Sequence, residues 1–152
     1  MKRKLLISLM IPLLALAACS DDDVKAPELE ITEVGYENSG IAYAGSDLHI
    51  NANIMAEGKI DNVRLTIHPG EAHLKDGHDQ HEEWQVDTTY TTGLSGSKNA
   101  EFHEHVDVPE HAEEGEYHLH LQVVDMEGQQ SSSEAEFEVV YDPDHDSDHD
   151  HH

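Results

Sequence analysis

Cysteine and tryptophan each occur once in this chain of 152 residues, phenylalanine twice, and eight basic residues stand against 33 acidic ones. One cysteine excludes an internal disulfide framework and any cage of several thiolates. The fold must therefore be held by a packed core, which a domain of ordinary size can supply. The formal net charge of −25 excludes nucleic acid as a partner, because phosphate binding needs a basic surface and this one repels it. The same charge keeps the chain soluble and concentrates cations around it. A long apolar run is also missing. The best stretch, Leu5 to Ala18, is broken by Ser8 and Pro12 and falls short of the roughly 20 apolar residues that a spanning helix needs. The chain has no His-Glu-x-x-His, no nucleophile elbow and no glycine-rich phosphate loop, so an enzyme is not expected.

What is present begins with a leader. Lys2, Arg3 and Lys4 precede the short apolar stretch, the order of a cleaved export signal over residues 1–18. Leu16-Ala17-Ala18-Cys19 resembles the bacterial lipobox, in which small residues precede a cysteine that receives a diacylglyceryl group. That resemblance implies a membrane anchor through the lipid on Cys19. Ser20-Asp21-Asp22-Asp23 resembles the acidic tag that directs lipoproteins of Bacteroidota to the outer face of the outer membrane. A solvated spacer facing the periplasm is the alternative. Residues 19–26 form an acidic tether in either case.

Residues 27–141 alternate with period two, the pattern of half-buried strands. Leu29 and Ile31 begin it; Leu48, Ile50, Ala52 and Ile54 follow, then Val63, Leu65 and Ile67. Trp84 to Thr91, Phe102 to Val108, Tyr117 to Val123 and Phe137 to Tyr141 complete the series, with turn residues such as Pro69-Gly70 and Glu127-Gly128 between runs. No apolar stripe of period 3.6 competes with it. About seven short strands, each with one apolar face, predict an all-β fold: a single immunoglobulin-like antiparallel β-sandwich, with a small barrel as the alternative. Gly115-Glu116-Tyr117 leads into the penultimate strand, where a tyrosine corner often sits. Trp84 is expected to pack at a sheet edge or against the core. Residues 142–152 hold no apolar residue except Pro143 and predict a disordered Asp/His-rich tail.

Fourteen histidines carry the functional signal. His103-Glu104-His105 and His118-Leu119-His120 are His-x-His pairs on expected strands, where residues two apart share one face. Their apolar neighbours take the opposite face, so all four imidazoles point outward and each pair is spaced to share a metal ion. In an immunoglobulin-like order the third strand lies beside the sixth and the second beside the fifth. His68 then joins His118 and His120, with His73, His78 and His81 in the following loop as further ligands. A second possible metal set is His49, His103 and His105. The first set is the better supplied with ligands. In the tail, His145, His149, His151 and His152 form a loose chelating segment.

Imidazole ligands suit zinc, copper(II), nickel and iron; zinc is the first expectation because it accepts mixed imidazole and carboxylate ligands. Calcium is not expected, since the tail aspartates lack the glycine and glutamate of a calcium-binding loop. The signal, the acidic tag and the strands from Leu48 to Ile67 and Gly115 to Gly128 resemble small histidine-rich immunoglobulin-like lipoproteins of unknown function from Bacteroidota. Partnership with an outer-membrane metal importer is what such lipoproteins suggest. The expected function is thus a lipid-anchored outer-membrane protein at the cell surface that captures zinc or a similar ion and delivers it to an importer. The alternative is a structural or adhesive module with incidental histidines.

Overall fold

Alternation along each strand decides which side chains build the interior. In the computed structural model, which describes residues 24–70 and 84–141, Leu48, Ile50, Ala52 and Ile54 are all essentially inaccessible, while His49, Asn51 and Asn53 between them stay open to solvent. Tyr117, Leu119, Leu121 and Val123 are likewise buried, and His118, His120 and Gln122 are not. Cys19, His73, His78, His81, His145, His149, His151 and His152 lie outside the described residues.

The strands are β1 (Glu28–Val34), β2 (Ile41–Tyr43), β3 (Asp47–Met55), β4 (Ile60–Pro69), β5 (Val86–Tyr90), β6 (Asn99–Asp107), β7 (Gly115–Asp125) and β8 (Gln130–Val140). They form two sheets, a three-stranded one in the order β1-β3-β6 and a five-stranded one in the order β2-β8-β7-β4-β5. The fold is the expected all-β sandwich. Both sheets have free edge strands, so the barrel alternative fails. The expected neighbours are in place: β3 pairs with β6, and β4 with β7, both antiparallel.

Two features escaped the alternation pattern. β2 spans only Ile41–Tyr43 and pairs in parallel with β8, too short to show a period. Trp84 is not in a strand; the strand starts at Val86. Trp84 is buried with its ring 5.6 Å from that of Tyr117 and 6.1 Å from that of Phe137. It is thus a core residue.

Gly35 makes the first crossing possible. The chain leaves β1 in one sheet and reaches β2 in the other, and Gly35 takes φ 74° with the Ile41 carbonyl 2.6 Å from where a Cβ would stand. Only glycine fits both demands. Tyr117 donates from its hydroxyl to the Glu113 carbonyl at 2.9 Å. This hydrogen bond back to the chain just upstream is a tyrosine corner, and it pins the loop entering β7.

Candidate metal centre

The outer face of the three-stranded sheet carries the site. His49 lies opposite His105 in the β3–β6 register, and Asn51 lies opposite His103. The four side chains therefore project from adjacent positions on one face. His49, His103 and His105 each offer a ring nitrogen, and these three atoms all lie within 4.8 Å of one another. Among the described residues this is the group of three potential ligands that converges so closely. The His49 and His105 rings stack with centroids 4.8 Å apart and planes only 5° from parallel, and the His103 ring stands edge-on to His49 at 4.8 Å.

Hydrogen bonds assign the protons. The Glu33 carboxylate only accepts, so the Asn51 amide donates to it through Nδ2 at 3.1 Å. That orientation turns Asn51 Oδ1 toward His103 Nδ1, which lies 2.7 Å away and must carry a hydrogen. The Nδ1 atom of His105 faces the Asp47 carboxylate and must do the same. His49 Nδ1 stands 3.6 Å from Glu33 Oε1, an ion-pair separation that also favours hydrogen on Nδ1. His103 and His105 are thereby directed to present a bare Nε2 to each other. His103 Nε2 and His105 Nε2 are 3.1 Å apart, and His49 Nε2 is buried with no hydrogen-bond partner.

Two lone pairs at that separation repel unless a cation lies between them. Nitrogens bound to one tetrahedral zinc at 2.0–2.1 Å stand about 3.3–3.4 Å apart, close to what His103 and His105 already show. Outer-nitrogen hydrogen bonds to carboxylate, as at His105 and Asp47, are the usual way a protein fixes the orientation of a metal-binding imidazole. The His105 hydrogen bond also holds the Asp47 carboxyl below its usual range, keeping it an acceptor. The donor set is three imidazoles, two of them exposed to solvent. It fits zinc, copper(II), nickel or iron and offers nothing to calcium.

A bulge places Glu33. The β1–β3 register shifts between Ile31 and Glu33, so that Glu33 lies opposite Asn51 on the outer face while Ile31 and Val34 face inward opposite Ala52 and Ile50. In an unbroken strand Glu33 would share the inward face of Ile31. Alternation alone could not reveal this, because a bulge of one residue interrupts the period it relies on. Asn51 was equally silent as a polar residue on an outward position.

The other sequence-derived set is only partly assembled. His68 lies opposite His118, and His120 is the next outward residue of β7. The ring of His118 stacks 5.5 Å from that of His68, but its nitrogens face Glu116 at 3.6 Å and Glu136 at 3.8 Å rather than a common centre with the other two. Among the described residues, then, the three-nitrogen convergence belongs to His49, His103 and His105.

The profile of a family described as a domain of unknown function (DUF4625) matches residues 17–140. No curated protein matches the sequence. Of solved structures, a DUF4466 family protein from Parabacteroides merdae is similar with a TM-score of 0.52 and 12% identity, covering 76% of this chain and 45% of that one. Wild-type OgpA from Akkermansia muciniphila gives a TM-score of 0.49 at 16% identity, over 75% of this chain and 28% of the other. The chain spans less than half the length of both. At 12% identity the first of these likenesses is one of fold alone.

Proposed function

This chain belongs to that family of unknown function, and within it we propose that the protein binds a divalent transition-metal ion, zinc first, through His49, His103 and His105. One observation carries the reading: one ring nitrogen from each of three histidines converges within 4.8 Å, while the Nδ1 atoms of His103 and His105 are hydrogen-bonded to oxygen and that of His49 stands 3.6 Å from Glu33. Free imidazoles on a solvated surface have no reason to share one tautomer and one centre. The buried, unpartnered Nε2 of His49 is the costliest atom of the group to leave without a ligand.

The chemistry favours capture and transfer. Three protein ligands leave a coordination position open, and His103 and His105 lie on an exposed edge strand where another molecule can reach the ion. The charge of −25 raises the local cation concentration. Together with the lipobox-like Leu16-Ala17-Ala18-Cys19 and the following aspartates, this supports a lipoprotein tethered through Cys19 to the outer membrane, holding metal for an importer. The direct test is zinc titration of the protein beside its His49→Gln and His103→Gln variants. Tight binding that both substitutions weaken is expected; affinity untouched by either overturns the reading.

A further inference from the structure

A related arrangement recurs on the opposite sheet, in two members of the set that the sequence grouped as His68, His118 and His120. His68, the one histidine of β4, hydrogen-bonds through Nδ1 with the Pro69 carbonyl at 3.0 Å. A carbonyl only accepts, so this nitrogen carries the hydrogen and leaves Nε2 bare. His120 of β7 points Nδ1 at Glu134 Oε1, 3.1 Å away, directly across the β7–β8 register. A carboxylate likewise demands the hydrogen on Nδ1. The two bare Nε2 atoms then meet at 3.0 Å.

We propose that His68 and His120 form a second, weaker metal site, taking one divalent transition ion between their Nε2 atoms. Four observations converge. The separation is within a few tenths of an ångström of the roughly 3.3–3.4 Å expected for two imidazoles on one tetrahedral ion. His68 Nδ1 is hydrogen-bonded to a carbonyl and His120 Nδ1 faces a carboxylate, the kind of outer partner that metal-binding imidazoles usually have. The stacked rings, 5.1 Å apart and 19° from parallel, already aim their nitrogens together. His118 beside them is engaged with Glu116 and Glu136, whose carboxylates add negative charge around the pair, and it does not act as a third ligand.

Two protein ligands hold an ion less firmly than three, and the remaining positions are left to water or an incoming donor. The sandwich therefore carries a firmer site on its three-stranded sheet and a more exchangeable one on its five-stranded sheet. Borderline ions with high nitrogen affinity, copper(II) and nickel before zinc, are the ones a bis-imidazole pair retains. Calcium and magnesium find no oxygen cage between the two nitrogens.

This inference shares the chemistry of the proposed function but not its residues, so the two can fail separately. The experiment is long-range ¹H–¹⁵N NMR of the histidine rings in the full chain, titrated with zinc and then with nickel. Before metal, His68 and His120 should show hydrogen on Nδ1. With zinc, their Nε2 signals should move after those of His49, His103 and His105, at a concentration at least about tenfold higher. His120→Gln and Glu134→Ala should each weaken that second phase by about tenfold or more while leaving the first phase in place. If the Nε2 signals of His68 and His120 stay still up to millimolar metal while the triad responds, the pair shares only a proton and the second site is wrong. If the pair responds and the triad does not, the second site stands and the proposed function falls.

Discussion

His103 is tied to Asn51 by a 2.7 Å hydrogen bond from its Nδ1, and that one contact decides which nitrogen the ring can offer to a ligand. The tie continues through the Asn51 amide to Glu33 at 3.1 Å and from Glu33 to His49 at 3.6 Å. Two of the three imidazoles are thus oriented by one asparagine and one glutamate on neighbouring strands. The third, His105, is oriented independently by Asp47. A site whose ligands are held before the ion arrives loses less side-chain freedom on binding than one assembled from mobile chains.

The first prediction is that the supporting residues matter nearly as much as the ligands. Glu33→Ala and Asn51→Ala touch no metal, yet each should weaken zinc binding by about 10- to 100-fold, the usual cost of losing such a partner. Calorimetric titration measures it. Both side chains point outward, so the unfolding temperature without metal should hardly change. Unaltered affinity in both variants means that the hydrogen-bond relay does not orient the rings.

Metal and acid should oppose each other at the triad. Ligation needs the proton off the liganding nitrogen, so affinity should fall as the medium is made more acid. At pH 7.5 and a hundredfold excess over the dissociation constant, zinc should stabilise the folded chain by about 2.7 kcal/mol. At pH 5.5 that gain should be smaller. Thermal melts with and without zinc at both pH values check this; an equal shift at both would assign binding to carboxylates.

Much of this was readable from residue order, and the unread part has a definite cause. Period-two alternation identifies Leu48–Ile54 and Tyr117–Val123 as strands, and with them the outward aim of His49, His118 and His120. The immunoglobulin-like strand order then pairs the right strands. Alternation reports the face of a residue, however, and not the rotation of its ring. His118 and His120 look identical in sequence, yet the first turns to Glu116 and Glu136 and the second turns Nε2 to His68. Glu33 was hidden by the bulge that moves it outward. In each case the missing information is a side-chain contact or a register shift, which alternation does not report.

The tyrosine corner should be a measurable part of the stability. Tyr117 is wholly buried, stacked 5.7 Å from Phe137, with its hydroxyl on the Glu113 carbonyl. Tyr117→Phe keeps the packing and removes one buried hydrogen bond, a loss of about 0.5–1.5 kcal/mol. The unfolding temperature should drop by several degrees at most. Tyr117→Ala also opens a cavity and should cost about 3–5 kcal/mol. Chemical denaturation resolves the two, and a Phe variant as damaged as the Ala variant would show that the hydroxyl, not the ring, secures the loop.

The last prediction concerns acid stability away from the histidines. Arg64 on β4 reaches Asp87 on β5 with two hydrogen bonds, 2.7 Å from Nε and 2.6 Å from its terminal nitrogen. These bonds hold the Asp87 carboxyl below its usual range, while the aspartate holds the guanidinium further up. Because the folded carboxyl is the stronger acid, the pair stabilises the fold above the unfolded aspartate's value and loses that contribution as pH falls through the folded one. Both side chains are more than half exposed, so the effect is small and salt should screen it. Asp87→Asn should therefore lower the unfolding temperature slightly at pH 7 in dilute buffer, less in 1 M salt, and hardly at all near pH 2.5. Melting curves of both proteins over that range decide the matter. A deficit in the variant that persists at the lowest pH and in high salt would show that Asp87 acts through the shape of the β5 edge rather than through its charge.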